Sequence, residues 1–442
     1  MPKIVQKKIS RSEGEEDTEA SKPNVKEKAI LHMDGDAFFV GVEIAKNPKL
    51  RGLPVVTGEE RGIVSALSYE AKALGVIRGM PIFRLKKDFP KVIILPGDYA
   101  SYARYSSKMF DIVRRYADDV EEYSIDECFA DLTGLEATLK MTYRQMAERI
   151  KQEINNELDL SVSIGVAPTK VLAKVASKWV KPKGLTVITA KTAGDFLSQT
   201  PIEKIWGIGG QTSQKMWRNG IKTAKDFIDK DLNWVRHFFP KPDEVIWQEL
   251  SGISVMPIDP NAKTTYSSIQ KTRTFHPATN DKNFLLAQLS KNIEEACTKA
   301  RHYKLVPKKL SLFLKTQDFQ YTTSLVSLPS PTNAPEVLMT LAGEQLKNMH
   351  KRGILYRTTG VTLRELVPDS VSQADLFGSR ELADKFEVIH KRIDSLENKL
   401  GKRVVHLAST HAALKPKGKF GKKAKDNEPT DFDDLDRDLL FL

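Results

Sequence analysis

Cysteine is nearly absent. Cys128 and Cys297 are the only two in 442 residues, too few for a disulfide framework or a thiolate zinc site. Long apolar runs are missing as well. No segment approaches the roughly 20 residues that span a bilayer, and charges from Lys3 onward leave no room for the apolar core of a signal peptide. These absences imply a cytoplasmic, reducing compartment and no membrane partner. No internal repeat is present. Negative charge is in short supply: 69 Lys and Arg stand against 57 Asp and Glu, a net +12. Such an excess favours a polyanionic partner, most often nucleic acid, because phosphate contacts release counterions. It is concentrated, since residues 266–366 hold 15 basic and 7 acidic residues, a net +8. That stretch reads as a dedicated binding module.

What is present is ordinary for a globular chain, with 40% hydrophobic and 29% charged residues. The length is too great for one core, so two to four domains are expected. Residues 1–28 are polar and read as a disordered leader. From 29 to about 188, short apolar runs alternate with amphipathic segments in an α+β pattern, punctuated by Pro54, Gly62, Gly79, Pro96 and Gly184. Residues 191–255 are short and helical. Within them Trp206-Gly207-Ile208-Gly209 has the form of a helix-hairpin-helix turn, whose glycines let backbone N–H groups approach a phosphate; a plain packing corner fits it equally well. A polar linker follows at 256–265. Residues 266–366 then read strand, helix, strand, strand, helix, strand, a βαββαβ order that makes an antiparallel sheet with both helices on one face. Lys271, Arg273, Lys308, Lys309, Lys315, Arg357 and Arg364 fall on or beside those strands, so the free face is expected to be basic. A charged helical extension runs to 408, and 409–442 has the composition of a disordered tail.

Two acidic clusters interrupt this apolar pattern. Asp34-Gly35-Asp36 follows the strand-like run 29–33, and Asp126-Glu127 breaks a second strand-like run, 120–129. An unpaired buried carboxylate costs several kcal/mol, so packing alone is a poor explanation for either. Carboxylates converging on one sheet suit a hard cation with oxygen ligands, which points to Mg²⁺ and metal-assisted phosphoryl transfer.

Asp34-Gly35-Asp36-Ala37-Phe38-Phe39, Ser68-Tyr69-Glu70-Ala71-Lys72, Tyr123-Ser124-Ile125-Asp126-Glu127, Ser163-Ile164-Gly165-Val166-Ala167 and Lys181-Pro182-Lys183-Gly184 occur in this order. The set resembles the Y-family (translesion) DNA polymerases, DNA polymerase IV branch, over about residues 29–366. The resemblance implies an α+β multidomain right hand: palm at 29–37 and 99–190, fingers at 38–98, helical thumb at 191–255, and a little finger at 266–366. It further implies low-fidelity synthesis past damaged bases without a proofreading exonuclease.

Residue by residue, the resemblance makes Asp34, Asp126 and Glu127 catalytic, with the Gly35 carbonyl as a further ligand of two Mg²⁺ ions. Backbone amides of Ala37, Phe38 and Phe39, with Tyr69, Lys72 and Lys181, would hold the triphosphate of a dNTP. Phe39 would exclude a ribose 2′-hydroxyl. Two departures weaken the nucleotide site, since the family commonly has Arg where Lys72 stands and Thr where Ala66 stands; a lysine offers a point charge in place of a bidentate fork. Primer-template DNA would be gripped through Gly207, Gly209, Lys271, Arg273, Lys315 and Arg357. Gln373-Ala374-Asp375-Leu376-Phe377 resembles the peptide that docks bacterial polymerases on the sliding clamp, with Gln373, Leu376 and Phe377 as its contacts. A monomer is expected. A nucleotidyl cyclase would share a palm-like sheet with two metal-binding aspartates, but the basic βαββαβ module counts against it. A non-enzymatic DNA- and clamp-binding scaffold would not need clustered, mutually repelling carboxylates.

Overall fold

The computed structural model describes residues 28–261, 266–371, 379–400 and 403–414. The leader at 1–27, the clamp-like peptide 373–377 and the tail past 414 lie outside the described residues.

The apolar strand β1 (Ile30–Gly35) is buried throughout. It runs two residues past the expected end, so Asp34 and Gly35 belong to the sheet itself. After the helix Phe38–Lys46, the chain forms a small sheet of β2 (Val55–Thr57), β3 (Ala66–Leu67) and β4 (Ile93–Leu95), ordered β3-β2-β4. It returns through the helix Tyr99–Arg114 to a hairpin, β5 (Val120–Glu122) and β6 (Glu127–Asp131). The helix Tyr143–Leu158, opened by a Thr142–Gln145 capping box, leads to β7 (Val162–Ala167), the helix Lys170–Trp179 and β8 (Leu185–Val187). These strands make a five-stranded sheet, β5-β6-β1-β7-β8, with β1 central and antiparallel to β6 and β7.

Strand alternation decides which face each residue serves. Leu31 and Met33 join Phe110, Val113, Met146 and Ile150 in one core, beneath the helices Tyr99–Arg114 and Tyr143–Leu158. Ile30 joins Phe129, Leu172, Ala176, Phe227 and Leu250 in the other, so palm and thumb share a core across the helix Lys170–Trp179. Each such side chain contributes about 1.5–3 kcal/mol on burial. Asp34, in phase with Ile30, faces that second side. The helix Phe38–Lys46, expected within the fingers, instead buries Phe38, Phe39 and Val42 in the palm core; the fingers keep their own small core from Val56 to Val92.

The little finger has the expected order: β9 (Ser268–Thr279), helix Lys282–His302, β10 (Leu305–Thr316), β11 (Tyr321–Ser327), helix Pro335–Met349 and β12 (Tyr356–Pro368). Its sheet, β11-β10-β12-β9, is antiparallel at every pairing. Leu310, Leu312 and Leu314 point toward the helices, so Lys309, Ser311, Phe313 and Lys315 stand on the free face.

Beyond β12 the helix Ser379–Leu400 and the segment 403–414 return to the little finger's helix layer. Arg301 forks onto both carboxylate oxygens of Asp394 at 2.6 and 2.8 Å, and His390 bonds Glu336 at 2.8 Å. Buried Glu294 accepts from the Leu407 N–H at 2.7 Å and the Thr410 hydroxyl at 2.6 Å. Residues 409–414, expected to begin a disordered tail, are instead folded, held where Thr410 is buried against Glu294 and where the Ser290 hydroxyl meets Ser409 and Thr410 at 2.7 and 2.8 Å. No helix among the described residues is long and apolar enough to cross a membrane.

Gly165 lies where the helix Lys170–Trp179 rests directly on β7: an added Cβ would sit 2.2 Å from the Ala173 carbonyl oxygen and 2.3 Å from the Ser177 nitrogen. Gly165→Ala is expected to destabilise the palm by about 2–4 kcal/mol, measured by the urea midpoint; an unchanged midpoint would show that the helix can lift away freely.

Candidate active site

Asp34 and Glu127 are direct cross-strand partners in the β1–β6 ladder, close enough for each carboxylate to feel the other's charge. The Gly35 N–H donates to the Asp126 carbonyl at 2.8 Å, which fixes the turn that carries Asp126 beside the same strand end. Asp126 is further held by the Ser124 hydroxyl at 2.8 Å. Asp34 thus meets Asp126 and Glu127, some ninety residues further along the chain, at one edge of the palm.

That crowding is electrostatically costly. Burial, with Glu127 adding to it against the opposing pull of Lys181, raises the Asp34 carboxyl to about 6. Burial and then Asp34 push Asp126 upward as well. Two lysines offset the excess. Lys181 Nζ lies 2.5 Å from Asp34 Oδ1, and Lys174 Nζ lies 2.9 Å from Glu127 Oε2. Asp34 and Glu127 are each engaged by an ammonium, and no group of three or more His, Cys, Asp and Glu among the described residues is arranged as a ready metal site. An all-oxygen donor set, crowded enough to be partly protonated and already drawing cations onto itself, nevertheless fits a hard divalent ion.

Asp36 organises the neighbouring loop. Its buried carboxylate accepts from the Ser163 hydroxyl at 2.8 Å and from the Lys183 N–H at 2.8 Å, and the nearby Tyr69 hydroxyl is pushed up to about 12 by burial and this acidic surrounding. The end of β1, β7 and the Lys181 loop are thereby tied together. Gly184 makes the loop tight, since a Cβ there would lie 1.7 Å from the Val180 carbonyl oxygen. Ala37, in the left-handed region at φ 49, opens the helix Phe38–Lys46, which has neither a side-chain cap nor an acidic residue in its first turn. Its amides are left available to an anion. Phe39 is buried, stacked on Tyr102 at 4.3 Å and edge-on to Tyr99 at 5.8 Å. Phe38 is buried too, and Lys72 is exposed on the short helix Tyr69–Ala73.

The basic residues of the little finger divide. Lys315 stands on the free face, with Nζ 4.7 Å from the rings of both Phe319 and Tyr321, and Arg357 lies over Phe319 at 4.5 Å. Lys271 and Arg273 do not share that face. They pair with Val361 and Thr359 in register with buried Ile269, so alternation turns both toward the helix side, and Lys271 is only 6% exposed. In the thumb, Gly207 adopts φ +90, and Gly209 precedes the uncapped helix Gly210–Arg218 with open space at its Cα. Sequence reasoning missed Lys174. The available signal is a row of three lysines, Lys170, Lys174 and Lys178, each one turn apart on a helix whose other residues are apolar except Ser177.

Because the raised Asp34 carboxyl binds its proton more tightly folded than unfolded, stability falls as pH rises from about 4 through about 6. Asp34→Asn is therefore expected to raise the melting temperature of the metal-free protein at pH 7–8, with the gain shrinking toward pH 4; a gain independent of pH would contradict the crowding.

Two family models match the chain: impB/mucB/samB family at residues 33–178 and impB/mucB/samB family C-terminal domain at 266–376. The chain is 32% identical over 391 residues to DNA polymerase IV of Desulfatibacillum aliphaticivorans, covering 87% of this chain and 97% of that one. It is also 32% identical over 380 residues to DNA polymerase IV of Caulobacter vibrioides, covering 85% and 93%. Among solved structures, a Dbh–Dpo4 Y-family DNA polymerase chimera superposes with TM-score 0.66 at 26% identity, over 77% of this chain and 99% of the chimera. An insertion ternary complex of Dbh DNA polymerase gives TM-score 0.51 at the same identity and coverage. Two-metal phosphoryl transfer and metal dependence are general to these enzymes. The two family models and the DNA polymerase IV relatives, joined to the palm sheet and the βαββαβ module, place the chain in the impB/mucB/samB family: it is a Y-family DNA polymerase of the DNA polymerase IV type, carrying out low-fidelity, DNA-directed synthesis past lesions.

Proposed function

We propose that Asp34, Asp126 and Glu127, with the Gly35 carbonyl, hold two Mg²⁺ ions beside the 3′-hydroxyl of a primer. The observation that carries this reading is the direct pairing of Asp34 with Glu127 at the strand end, with Lys181 already drawn onto Asp34. When bound, the ions supply Lewis acidity at the hydroxyl and neutralise charge on the triphosphate and the departing pyrophosphate. The chain's own residues bind and orient. Lys181 reaches Asp34 from the same loop that Asp36 anchors, which suits it to exchange that carboxylate for a phosphate oxygen. Tyr69, Lys72 and the amides of Ala37, Phe38 and Phe39 complete the triphosphate cradle. Phe39, braced by Tyr102 and Tyr99, lies beneath the sugar and collides with a 2′-hydroxyl.

Duplex grip in this reading comes from the thumb turn, Gly207 and Gly209, and from Lys315 and Arg357 on the little finger, through phosphates and without sequence preference. Lys271 and Arg273, turned to the helix side, are left out of that contact set. Gln373, Leu376 and Phe377 dock on a bacterial sliding clamp, and the enzyme works as a cytoplasmic monomer on primer-template DNA.

Primer extension with Mg²⁺ and the four dNTPs tests the core of the proposal. Wild type is expected to extend and Asp126→Ala to give no product; full extension by Asp126→Ala would refute the assignment. In the same assay Phe39→Ala is expected to lose about 2–4 kcal/mol of sugar discrimination, so that ribonucleotide use rises roughly 30- to 1,000-fold. An unchanged ribo-to-deoxy ratio would dispose of the gate.

A further inference from the structure

Lys174 is an unusual residue to find where it is. It lies on the helix Lys170–Trp179, whose buried residues are apolar except for Lys170, Lys174 and Ser177, and it is 5% exposed. An ammonium placed there costs several kcal/mol unless it is compensated, and even a well-made buried ion pair is often no more stable than the apolar residues that could replace it. Stability alone therefore does not account for Lys174. Its surroundings suggest another reason.

Lys174 Nζ meets Glu127 Oε2 at 2.9 Å. Around the ammonium stand the rings of Tyr123 at 4.2 Å, Trp206 at 4.9 Å and Phe129 at 6.0 Å, a wall of π faces that attracts a cation while excluding water. Tyr123 and Trp206 are locked to each other. The Trp206 indole N–H donates to the Tyr123 hydroxyl at 3.0 Å, and their rings meet edge to face at 5.2 Å. Tyr123 opens the turn that carries Asp126, whereas Trp206 belongs to the thumb and immediately precedes Gly207-Ile208-Gly209. A continuous run of contacts therefore joins the thumb turn to the acidic edge: Trp206, Tyr123, Lys174, Glu127.

We propose that Lys174 and Trp206 are positioning residues for nucleotide transfer: Lys174 holds the Glu127 carboxylate at the strand end, and Trp206 holds Lys174, so that the thumb turn gripping the duplex and the third acidic ligand share one rigid frame. This rests on the reading of Glu127 as a metal ligand and of the Gly207–Gly209 turn as a phosphate contact. Within it, thumb displacement loosens Glu127. Nucleotide transfer is then fast only when the thumb turn is seated, a requirement that an open, loosely checking polymerase site would otherwise lack.

The test separates positioning from folding and from binding. Single-turnover extension rates, primer-template Kd by fluorescence anisotropy, and Mn²⁺ binding to the enzyme–DNA complex by electron paramagnetic resonance are measured for Lys174→Met, Lys174→Arg, Trp206→Leu and the Lys174→Met/Trp206→Leu double variant. Lys174→Met is expected to slow extension about tenfold or more, with DNA affinity within about twofold and Mn²⁺ binding no weaker, since a repelling ammonium has been removed. Lys174→Arg should recover part of the rate. Trp206→Leu should slow extension about three- to tenfold, and the double variant should be no slower than Lys174→Met, because both act on one path. An unchanged rate in Lys174→Met, a loss explained by weakened DNA or Mn²⁺ binding, or multiplying effects in the double variant would each overturn the inference. Glu127→Gln run in parallel distinguishes the failures. If it is inactive while Lys174→Met is normal, only the positioning role falls; if it is fully active, the reading of Glu127 falls and takes the inference with it.

Discussion

A carboxylate buried at the end of a central strand must find a cation, and the organisation of this protein follows from three of them sharing one place. Asp34 and Glu127 face each other across a ladder rung, and Asp126 is brought in by the turn that precedes β6. Their mutual repulsion is answered on two sides. Lys181 answers it from the loop that Asp36 anchors, and Lys174 from a helix that also faces the thumb. The first is partly exposed; the second is buried. A site built in this way is destabilised for its task, as expected where groups are held for chemistry in place of packing.

The remainder of the palm keeps that edge rigid. Two helices seal one face of the sheet with Phe110, Met146 and Ile150, while the helix Lys170–Trp179 lies close enough to β7 that only glycine fits at 165. On that second face the core is continuous into the thumb through Phe129, Leu172, Phe227 and Leu250. Lys170 extends the connection, bonding Glu121 at 2.7 and 2.8 Å and the Pro257 carbonyl at 3.2 Å, while Asp259 N–H reaches Glu121 at 2.8 Å. The start of the linker is therefore folded onto the palm. The fingers, by contrast, rest on a core of a few residues, which suits a template cleft that checks base-pair shape weakly.

Much of this was legible in the chain. Carboxylates interrupting apolar runs mark the strand edge where Asp34, Asp126 and Glu127 lie, and the spacing of periodic segments matches the βαββαβ order of the little finger. What escaped depended on register or on distant partners. Lys271 and Arg273 were placed on the free sheet face, yet which face a strand residue takes is fixed by pairing with β12, and that pairing turns them toward the helices. Phe38 and Phe39 sit at the start of a segment that reads as fingers, but their rings find the palm core. Lys174 carries no local sign of its partner, since Glu127 lies 47 residues away and Trp206 approaches from another domain. Residues 409–414, which composition alone reads as tail, are held through Thr410 by Glu294 and Ser290, more than a hundred residues earlier.

The central claim is that one strand edge gathers Asp34, Asp126 and Glu127 to bind divalent cations, with Lys181 standing in for a cation on Asp34 until the substrate arrives. A crystal structure of the enzyme with primer-template, Mg²⁺ and a non-reactive dNTP analogue tests it most directly. The account predicts metal ions within about 2.0–2.1 Å of oxygens from all three side chains, with the Lys181 ammonium moved from Asp34 to a triphosphate oxygen. Metal bound elsewhere, or Lys181 still paired with Asp34 beside a seated nucleotide, would contradict it.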